Sequence, residues 1–270
     1  MYESLEGTRA LLTGASRGLG SHIARGLAKE RCNLILSARD ATKLGEVAEA
    51  CRASGVTVEV VSADICRAED RQRLLAEAGD IDFLINNAGV EITRRLVDQS
   101  EADVRLQIET NLVAPIELAR RALPAMIARG RGVVVNLSSM SGKASTPFNS
   151  IYAATKHGLN GLSSSLDIEL FGTGVHVGVV CPSFVADAGM WADTGLTAPA
   201  FLREVPPERV VDAVLRVIHG QTEVLVTPGP MRPLLALRAL MPGVEGRLLR
   251  WMGVAKVLAA RADVAAQSRE

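Results

Sequence analysis

The sequence predicts an α/β fold in which helices cover both faces of one parallel, doubly wound sheet. Apolar runs of strand length alternate with longer stretches of helical period along most of the 270 residues. The strand runs are nearly continuous in valine, isoleucine, leucine and alanine, as expected for strands buried on both faces. Since no repeat or low-complexity linker interrupts the alternation, we expect one domain over residues 1–230 and a helical extension over 231–270 that packs on it.

The expected strands and helices follow one another in regular order. The strands are Arg9–Leu12, Asn33–Ser37, Val56–Val61, Phe83–Asn86, Gly132–Leu137, Val175–Val180 and Glu223–Val226. The helices are Leu19–Glu30, Ala41–Ala53, Arg67–Glu77, Glu101–Arg129, Tyr152–Phe171 and Pro207–His219. Ligands of such a sheet bind beyond the carboxyl ends of its strands, so the residues that follow each strand are the candidates for a site.

The composition argues against several classes of function. The 30 basic and 30 acidic residues balance, which gives no case for nucleic-acid binding, and aromatic residues make up only 3% of the chain. The N-terminus lacks the apolar stretch of a signal peptide, and no run of about 18 apolar residues offers a membrane span. The four cysteines form no C-x-x-C pair, and the four histidines show no metal-ligand spacing. We therefore expect a cytoplasmic protein with free thiols and no metal.

A glycine-rich loop joins the first strand to the first helix. A turn without side-chain bulk lets the backbone approach a pyrophosphate, and the N-terminus of the helix supplies N–H donors and partial positive charge. Because the loop lies at the first strand–helix junction of an alternating chain, dinucleotide binding is favoured over a plain connecting turn. The candidate cofactor-binding residues in the loop are Gly14, Ser16, Arg17, Gly18, Leu19 and Gly20.

The G-x-x-x-G-x-G spacing of this loop, preceded by Thr13, resembles the short-chain dehydrogenase/reductase family. The resemblance implies a Rossmann fold and a nicotinamide cofactor. In the family, an acidic residue after the second strand selects NAD; here Ala38 holds that position and Arg39 follows. With Arg17 as a second cation, the resemblance implies NADP(H), since a guanidinium suits the 2′-phosphate. Two solvated surface arginines are the alternative, and Asp40 is expected to cap the next helix.

Further motifs match cofactor contacts of the family. An Asp-Ile pair after the third strand matches the residues that bind adenine, with a plain helix-capping aspartate as the alternative. An N-N-A-G sequence ends the fourth strand and matches the motif that braces the sheet beside the cofactor. The cofactor-binding residues implied here, with two that follow the sixth strand, are Asp64, Ile65, Asn87, Ala88, Gly89, Pro182 and Val185.

A tyrosine and a lysine four residues apart, Tyr152 and Lys156, share one face of an expected helix. A free phenol has a pKa of about 10, and a neighbouring ammonium favours the phenolate. Although this spacing alone is common by chance, the resemblance implies Tyr152 as general acid and base and Lys156 as both ribose ligand and tuner of the tyrosine. By the family's spacing, Ser139 polarises the substrate carbonyl, with Ser138 as the alternative. Asn111 matches the residue that holds a water linked to the lysine.

The chain departs from the family after the sixth strand. Ser183 replaces a usual glycine, and Asp187 stands where a threonine contacts the nicotinamide amide. We hypothesise that the Asp187 carboxylate favours NADP⁺ and alcohol oxidation; a solvent-facing, capping aspartate is the alternative. The segment up to Val205 is expected to form a substrate lid whose large apolar side chains favour a lipophilic substrate, although plain packing explains them nearly as well. These side chains are Phe184, Met190, Trp191, Leu196 and Phe201.

The extension carries two expected short helices, Met231–Leu240 and Gly246–Ala260. From Met231 to Arg261 it has six cations and one acid, Glu245. Such basic amphipathic helices can lie on an anionic membrane surface. Packing over the mouth of the active site or on a neighbouring subunit is the interpretation we favour.

Three functions are consistent with the sequence. The leading one is an NADP(H)-dependent carbonyl reductase or alcohol dehydrogenase, and a narrower variant is a 3-oxoacyl-thioester reductase. A non-catalytic NADP(H) sensor or scaffold is the alternative from another class. Members of the family associate through two long helices, here Glu101–Arg129 and Tyr152–Phe171, so we expect a homodimer or homotetramer.

Overall fold

The structure, a computed structural model, describes residues 2–190 and 203–241 and the single positions 243, 246, 259 and 262. The strands are β1 (Arg9–Thr13), β2 (Asn33–Ala38), β3 (Val58–Ser62), β4 (Phe83–Asn86), β5 (Gly132–Leu137), β6 (Val175–Pro182) and β7 (Glu223–Val226). The α-helices are α1 (Gly18–Lys29), α2 (Ala41–Arg52), α3 (Ala68–Ala78), α4 (Glu101–Ile108), α5 (Ala114–Arg129), α6 (Ser150–Glu169), α7 (Pro207–Ile218) and α8 (Arg232–Leu240).

These strands form one parallel sheet in the order β3-β2-β1-β4-β5-β6-β7. The strand order reverses between β1 and β4, and a crevice forms beyond the carboxyl ends of the strands at such a point. The expected fold class is confirmed. Strand and helix bounds agree with expectation to within two residues at nearly every end, and the third strand begins at Val58 rather than Val56.

Two apolar layers enclose the sheet, one on each face. Leu12 points into the layer that contains Ile23 of α1 and Val214 of α7. The adjacent Leu11 points into the opposite layer, which contains Leu118 of α5. Because successive side chains of a strand face opposite sides, a run of apolar residues is buried on both faces. This burial fixes the strands, and so it fixes the loops at their carboxyl ends.

The prediction of one continuous helix over Glu101–Arg129 is wrong, because the helix is interrupted near its middle. A π-helical segment, Glu109–Val113, separates α4 from α5. Pro115 supplies the physical reason, because it has no N–H to donate to the carbonyl of Asn111 four residues earlier. The wider turn carries Asn111, which is fully buried.

Part of the C-terminal extension is described. Helix α8 agrees with the first expected helix, and the Arg238 guanidinium donates to the carbonyl of Lys143 in the loop that follows β5. The second expected helix lies almost entirely outside the described residues, as do Trp191, Leu196 and Phe201 of the expected lid. The division at residue 230 stays a prediction. Among the described helices, none combines the length and apolar character needed to cross a membrane.

Candidate active site

The glycine loop after β1 packs too closely for side chains. Gly14 has a φ of +67°, and a Cβ on it would lie 2.7 Å from Cα of Ala88. A Cβ on Gly20 would lie 2.0 Å from the carbonyl oxygen of Gly14. Helix α1 begins directly after Arg17, whose side chain does not cap it, and its first turn has no acidic residue. The amides of this turn therefore form a cradle suited to an anion.

The N-N-A-G motif holds this loop in place. The Asn87 Nδ2 donates to the carbonyls of Thr13 and Gly14, at 2.9 and 3.1 Å. The Thr13 Oγ1 accepts from the amides of Asn87 and Ala88, both at 3.2 Å. Four hydrogen bonds therefore join the motif to the end of β1 and to the loop that follows it. Thr13 was noted in the sequence only as a neighbour of the loop and not as a site residue.

Two exposed arginines flank the cradle. Arg17 lies in the loop after β1 and Arg39 follows the neighbouring strand β2. The amide of Ala15 donates to the carbonyl of Ser37 at 3.1 Å, which ties the loop to the end of β2. Asp40 caps α2, as expected: its Oδ1 accepts from the amide of Lys43, and this hydrogen bond lowers the pKa of Asp40. The carboxylate is therefore engaged by its own helix.

The Asp-Ile pair after β3 is held by its own set of bonds. The half-buried Asp64 accepts at Oδ1 from the amide of Cys66 at 3.1 Å. The carbonyl of Ile65 accepts from the buried Arg71 guanidinium at 2.6 Å, which also contacts Glu109 at 2.8 Å. Helix α3 has Arg67 as its N-cap, so the alternative in which Asp64 caps that helix is not supported.

Tyr152 and Lys156 lie on α6, and both are buried. The Lys156 Nζ donates to the carbonyl of Leu137 at 2.8 Å and lies 5.5 Å from the centroid of the Tyr152 ring. Burial lowers the pKa of Lys156 to about 8, while Cys181 and Glu91 act in the opposite direction. An amine with this pKa is still mostly an ammonium at neutral pH. The tyrosine therefore has a cation beside its ring.

The two serines after β5 have different surroundings. Ser138 is buried, and its Oγ donates to the carbonyl of Lys156 at 3.2 Å. Ser139 is half-buried, and its Oγ accepts from the amide of Ser141 at 3.1 Å. Donation fixes the hydroxyl proton of Ser138, whereas the bond of Ser139 uses only a lone pair. The geometry therefore favours Ser139 as the residue that can donate to a ligand.

Asn111 is joined to the segment after β4. Its Oδ1 accepts from the amide of Val90 and its Nδ2 donates to the carbonyl of Val90, both at 2.8 Å. A Cβ on Gly89 would lie 3.2 Å from Asn111 Oδ1 and 3.7 Å from Lys156 Nζ. The structure thus brings Asn111, Gly89 and Lys156 to one place, although they are far apart in the sequence.

A chain of buried amides ties α6 to the centre of the sheet. The Asn86 Nδ2 donates to Asn136 Oδ1 at 2.9 Å, and the Asn136 Nδ2 donates to Ser163 Oγ at 2.9 Å. The Ser163 hydroxyl donates to the carbonyl of Leu159 at 2.7 Å. Sequence reasoning missed this network beyond the N-N-A-G motif. Asn136, a polar residue inside an otherwise apolar strand, was the signal that could have found it.

The residues after β6 extend the same edge of the sheet. Pro182 and Val185 are buried, and Val185 pairs with Val205. The backbone at Ser183 does not adopt a positive φ, so nothing in its conformation requires the glycine usual in the family. Asp187 is exposed, with a φ of +55°.

Comparisons with known proteins agree with this arrangement. Residues 8–198 match the family model described as short chain dehydrogenase. The chain is 38% identical over 270 residues to a protein named "Ketoacyl reductase HetN" from Nostoc sp., a match that covers 96% of this chain and 94% of that protein. It is 30% identical to "Estradiol 17-beta-dehydrogenase 11" from Macaca fascicularis, covering 89% of this chain and 81% of the relative.

Solved structures give the same result. A short-chain dehydrogenase from Sphingobium yanoikuyae in complex with NADPH superposes with a TM-score of 0.76 at 32% identity, covering 89% of this chain and 94% of that one. A 3-oxoacyl (acyl-carrier-protein) reductase from Agrobacterium tumefaciens with NADP bound gives a TM-score of 0.77 at 28% identity, covering 84% and 95%. This chain therefore belongs to the short chain dehydrogenase family.

Proposed function

We propose that the protein is an oxidoreductase that transfers a hydride between NADP(H) and a carbonyl compound or secondary alcohol. The observation that carries the proposal is the pairing of Tyr152 with the buried ammonium of Lys156, which donates to the carbonyl of Leu137, two residues before Ser139. A buried cation costs free energy unless it is paired. A protein that only binds a nucleotide could use this cation as a ligand but has no chemical use for the phenol beside it.

The cofactor is NADP(H). The residues fit it, because the glycines leave room for a backbone approach and no side chain caps the N-terminus of α1. We assign the pyrophosphate to the loop Gly14–Gly20 and the 2′-phosphate to Arg17 and Arg39, both exposed beyond adjacent strands. Asp64 and Ile65 would hold the adenine end. When bound, NADP(H) supplies or accepts the hydride.

The chemistry at the substrate falls to three side chains of this chain. Tyr152 gives a proton to the substrate oxygen during reduction and takes it back during oxidation. The Ser139 hydroxyl donates a hydrogen bond to the same oxygen as negative charge develops on it. Lys156, anchored by the carbonyl of Leu137, binds the nicotinamide ribose and favours the phenolate of Tyr152. Asn111, with its carbonyl released by Pro115, holds the water through which Lys156 exchanges protons with solvent.

We propose a 3-oxoacyl thioester as the first substrate class to test. The similarity to HetN, whose name describes a ketoacyl reductase, and to the 3-oxoacyl reductase of Agrobacterium tumefaciens supports this choice. Lipophilic ketones are the second class, because Phe184 and Met190 begin a segment rich in large apolar side chains. Because the chain departs from the family at Ser183 and Asp187, the same test should also compare the rates of carbonyl reduction and alcohol oxidation.

The test measures NADPH oxidation and NADP⁺ reduction with thioesters, ketones and alcohols. Tyr152→Phe should lower kcat by at least about 100-fold while NADPH still binds. Tyr2→Phe is the matched control, because Tyr2 is the chain's other tyrosine and its hydroxyl bonds Asp82 instead. Equal turnover in Tyr152→Phe and wild type would refute the assigned role. Tight NADPH binding without turnover of any substrate would favour the sensor or scaffold function.

We also propose that the protein forms a homodimer or homotetramer in the cytoplasm. Large apolar side chains are exposed on the expected contact helices, with Ile168 of α6 78% exposed and the adjoining Phe171 92% exposed. Isolated exposed apolar residues are ordinary, but two such side chains on one helix end favour burial against another subunit. The balanced charge of the chain gives no reason to propose a nucleic-acid partner.

A further inference from the structure

The segment that follows the N-N-A-G motif is held by hydrogen bonds at alternate residues. Val90 is bonded through both backbone groups to Asn111, and the amide of Ile92 donates to Gln107 at 3.2 Å. The amide of Arg94 donates to the carbonyl of Phe148 at 2.7 Å. Phe148 has a φ of +66°, a conformation that a phenylalanine adopts only when its surroundings hold it there. The segment therefore also supports the residues that lead into α6.

Glu91 lies in the middle of this segment and contacts Asn149, the residue directly before α6. Asn149 is the N-cap position of α6, yet its side chain makes no capping bond. Its Nδ2 instead donates to Glu91 Oε1 at 2.5 Å, while its buried Oδ1 has no hydrogen-bond partner. The bond to Glu91 is thus the contact that orients this amide. Tyr152 follows Asn149 by three residues, so Glu91 acts on the helix turn that carries the tyrosine.

The same carboxylate influences Lys156. Besides Tyr152 on its own helix, the ammonium contacts the Leu137 carbonyl from β5. The segment after β4 lies beside it, since a Cβ on Gly89 would be 3.7 Å from Lys156 Nζ, and Glu91 of this segment and Cys181 of β6 both act on the ammonium electrostatically. Burial raises the pKa of Cys181 to about 12, so this thiol is neutral near pH 7. Among the described residues that act on Lys156, Glu91 is therefore the source of negative charge.

We propose that Glu91 is a positioning residue for the reaction: it orients the entry to α6 through Asn149 and supplies negative charge that favours the ammonium form of buried Lys156. This inference rests on the proposed function, because the ammonium matters through Tyr152. A neutral Lys156 would no longer favour the phenolate, so the loss of its proton at high pH ends the active form. Glu91 extends the pH range over which that form persists.

The decisive variant is Glu91→Gln, which keeps an oxygen acceptor for Asn149 and removes only the charge. We expect the alkaline limb of kcat/KM to move down by roughly 0.5 to 1 pH unit, as for loss of one partly screened charge. A second readout needs no cofactor: the unfolding free energy of the ligand-free protein, measured against Lys156→Met. This unfolding free energy should rise as Lys156 loses its proton in the folded protein, and the rise should begin at a lower pH in Glu91→Gln than in the wild type.

Two controls separate charge from structure. Asn149→Ala removes the bond but keeps the charge, so it should lower kcat without moving the alkaline limb. Glu46→Gln removes an exposed carboxylate on α2 and should change neither measurement. An alkaline limb and an unfolding profile that both stay at wild-type pH in Glu91→Gln would overturn the inference. Full activity of Tyr152→Phe would instead overturn the proposed function, whatever the unfolding profile of Glu91→Gln shows.

Discussion

Replacement of Gly20 by alanine tests the close approach that forms the cofactor cradle. The new Cβ would lie 2.0 Å from the carbonyl oxygen of Gly14 and 2.9 Å from both Ala15 Cα and Asn87 Nδ2. Since the nearest of these atoms belongs to the backbone, α1 and the loop must separate by about 1 Å, and overpacking of this kind costs about 1–3 kcal/mol. The melting temperature should fall by about 2–6 °C.

The effect on cofactor binding should be larger. Hydrogen bonds to a charged group contribute about 1.5–3 kcal/mol each, so the loss of two from a displaced cradle removes at least about 3 kcal/mol. This corresponds to a rise in the Kd of NADPH of about 100-fold or more. Isothermal titration calorimetry or NADPH fluorescence would measure the Kd, and a thermal melt would measure the stability.

Gly45→Ala is the matched control for this experiment. Gly45 lies inside α2, where an added Cβ would meet nothing within 4 Å. Alanine is favoured over glycine in a helix by about 1 kcal/mol, so this variant should melt about 2 °C higher and bind NADPH as the wild type does. If Gly20→Ala bound NADPH within about threefold of wild type while Gly45→Ala behaved as expected, the cradle would not be the pyrophosphate site.

Other substitutions test the buried lysine, the polar network, the oligomer and the nicotinamide end. Burial lowers the pKa of Lys156 from 10.5 to about 8, so the folded protein loses this proton at a lower pH than the unfolded chain does. Relative to Lys156→Met, the unfolding free energy of the wild type should therefore rise by about 3 kcal/mol between pH 8 and pH 10.5. A fall in denaturant titrations over this range would contradict the sign of the argument. Asn136→Ala removes the acceptor of the buried Asn86 amide and one of the two bonds of Ser163, and it should cost about 1–3 kcal/mol in the same titrations. Ile168→Glu should shift the mass measured by light scattering towards the monomer. Asp187→Thr should lower the ratio of NADP⁺ to NADPH affinity, and an unchanged ratio would mean that the carboxylate faces solvent.

The fold was predictable because its information is local. Continuous apolar runs identify buried strands, and alternation with helices fixes a parallel sheet. The glycine loop was equally predictable, since a Cβ on Gly14 or Gly20 would collide with neighbouring backbone atoms, and a spacing of glycines in the sequence indicates such positions. The positions of Tyr152 and Lys156 on one helix face follow from their spacing alone.

The contacts between distant segments could not be predicted in the same way. Nothing near Glu91 in the sequence indicates that it meets Asn149, 58 residues later. Likewise, the Thr13 hydroxyl and the Asn87 and Ala88 amides are joined only because β1 and β4 are neighbours in the sheet. Such partners depend on strand order, which local periodicity leaves open. Motifs indicate candidate residues for the site, and the topology determines which segments hold them in place.

Asn111 lies between these two cases, because the break in the helix at this residue could be predicted from the sequence and the contact of its side chain with Val90 could not. Proline four residues later removes one helical donor to its carbonyl, a consequence that the sequence contains at Pro115. The break at this point widens the helix into a π turn, and the amide side chain meets both backbone groups of Val90. The Val90 bonds use one N–H and one lone pair of this amide, and the backbone carbonyl is a further acceptor to which Pro115 cannot donate. If Asn111 supports proton exchange at Lys156 through that carbonyl, Pro115→Ala should slow the exchange by restoring the missing donor, while the Val90 bonds stay intact.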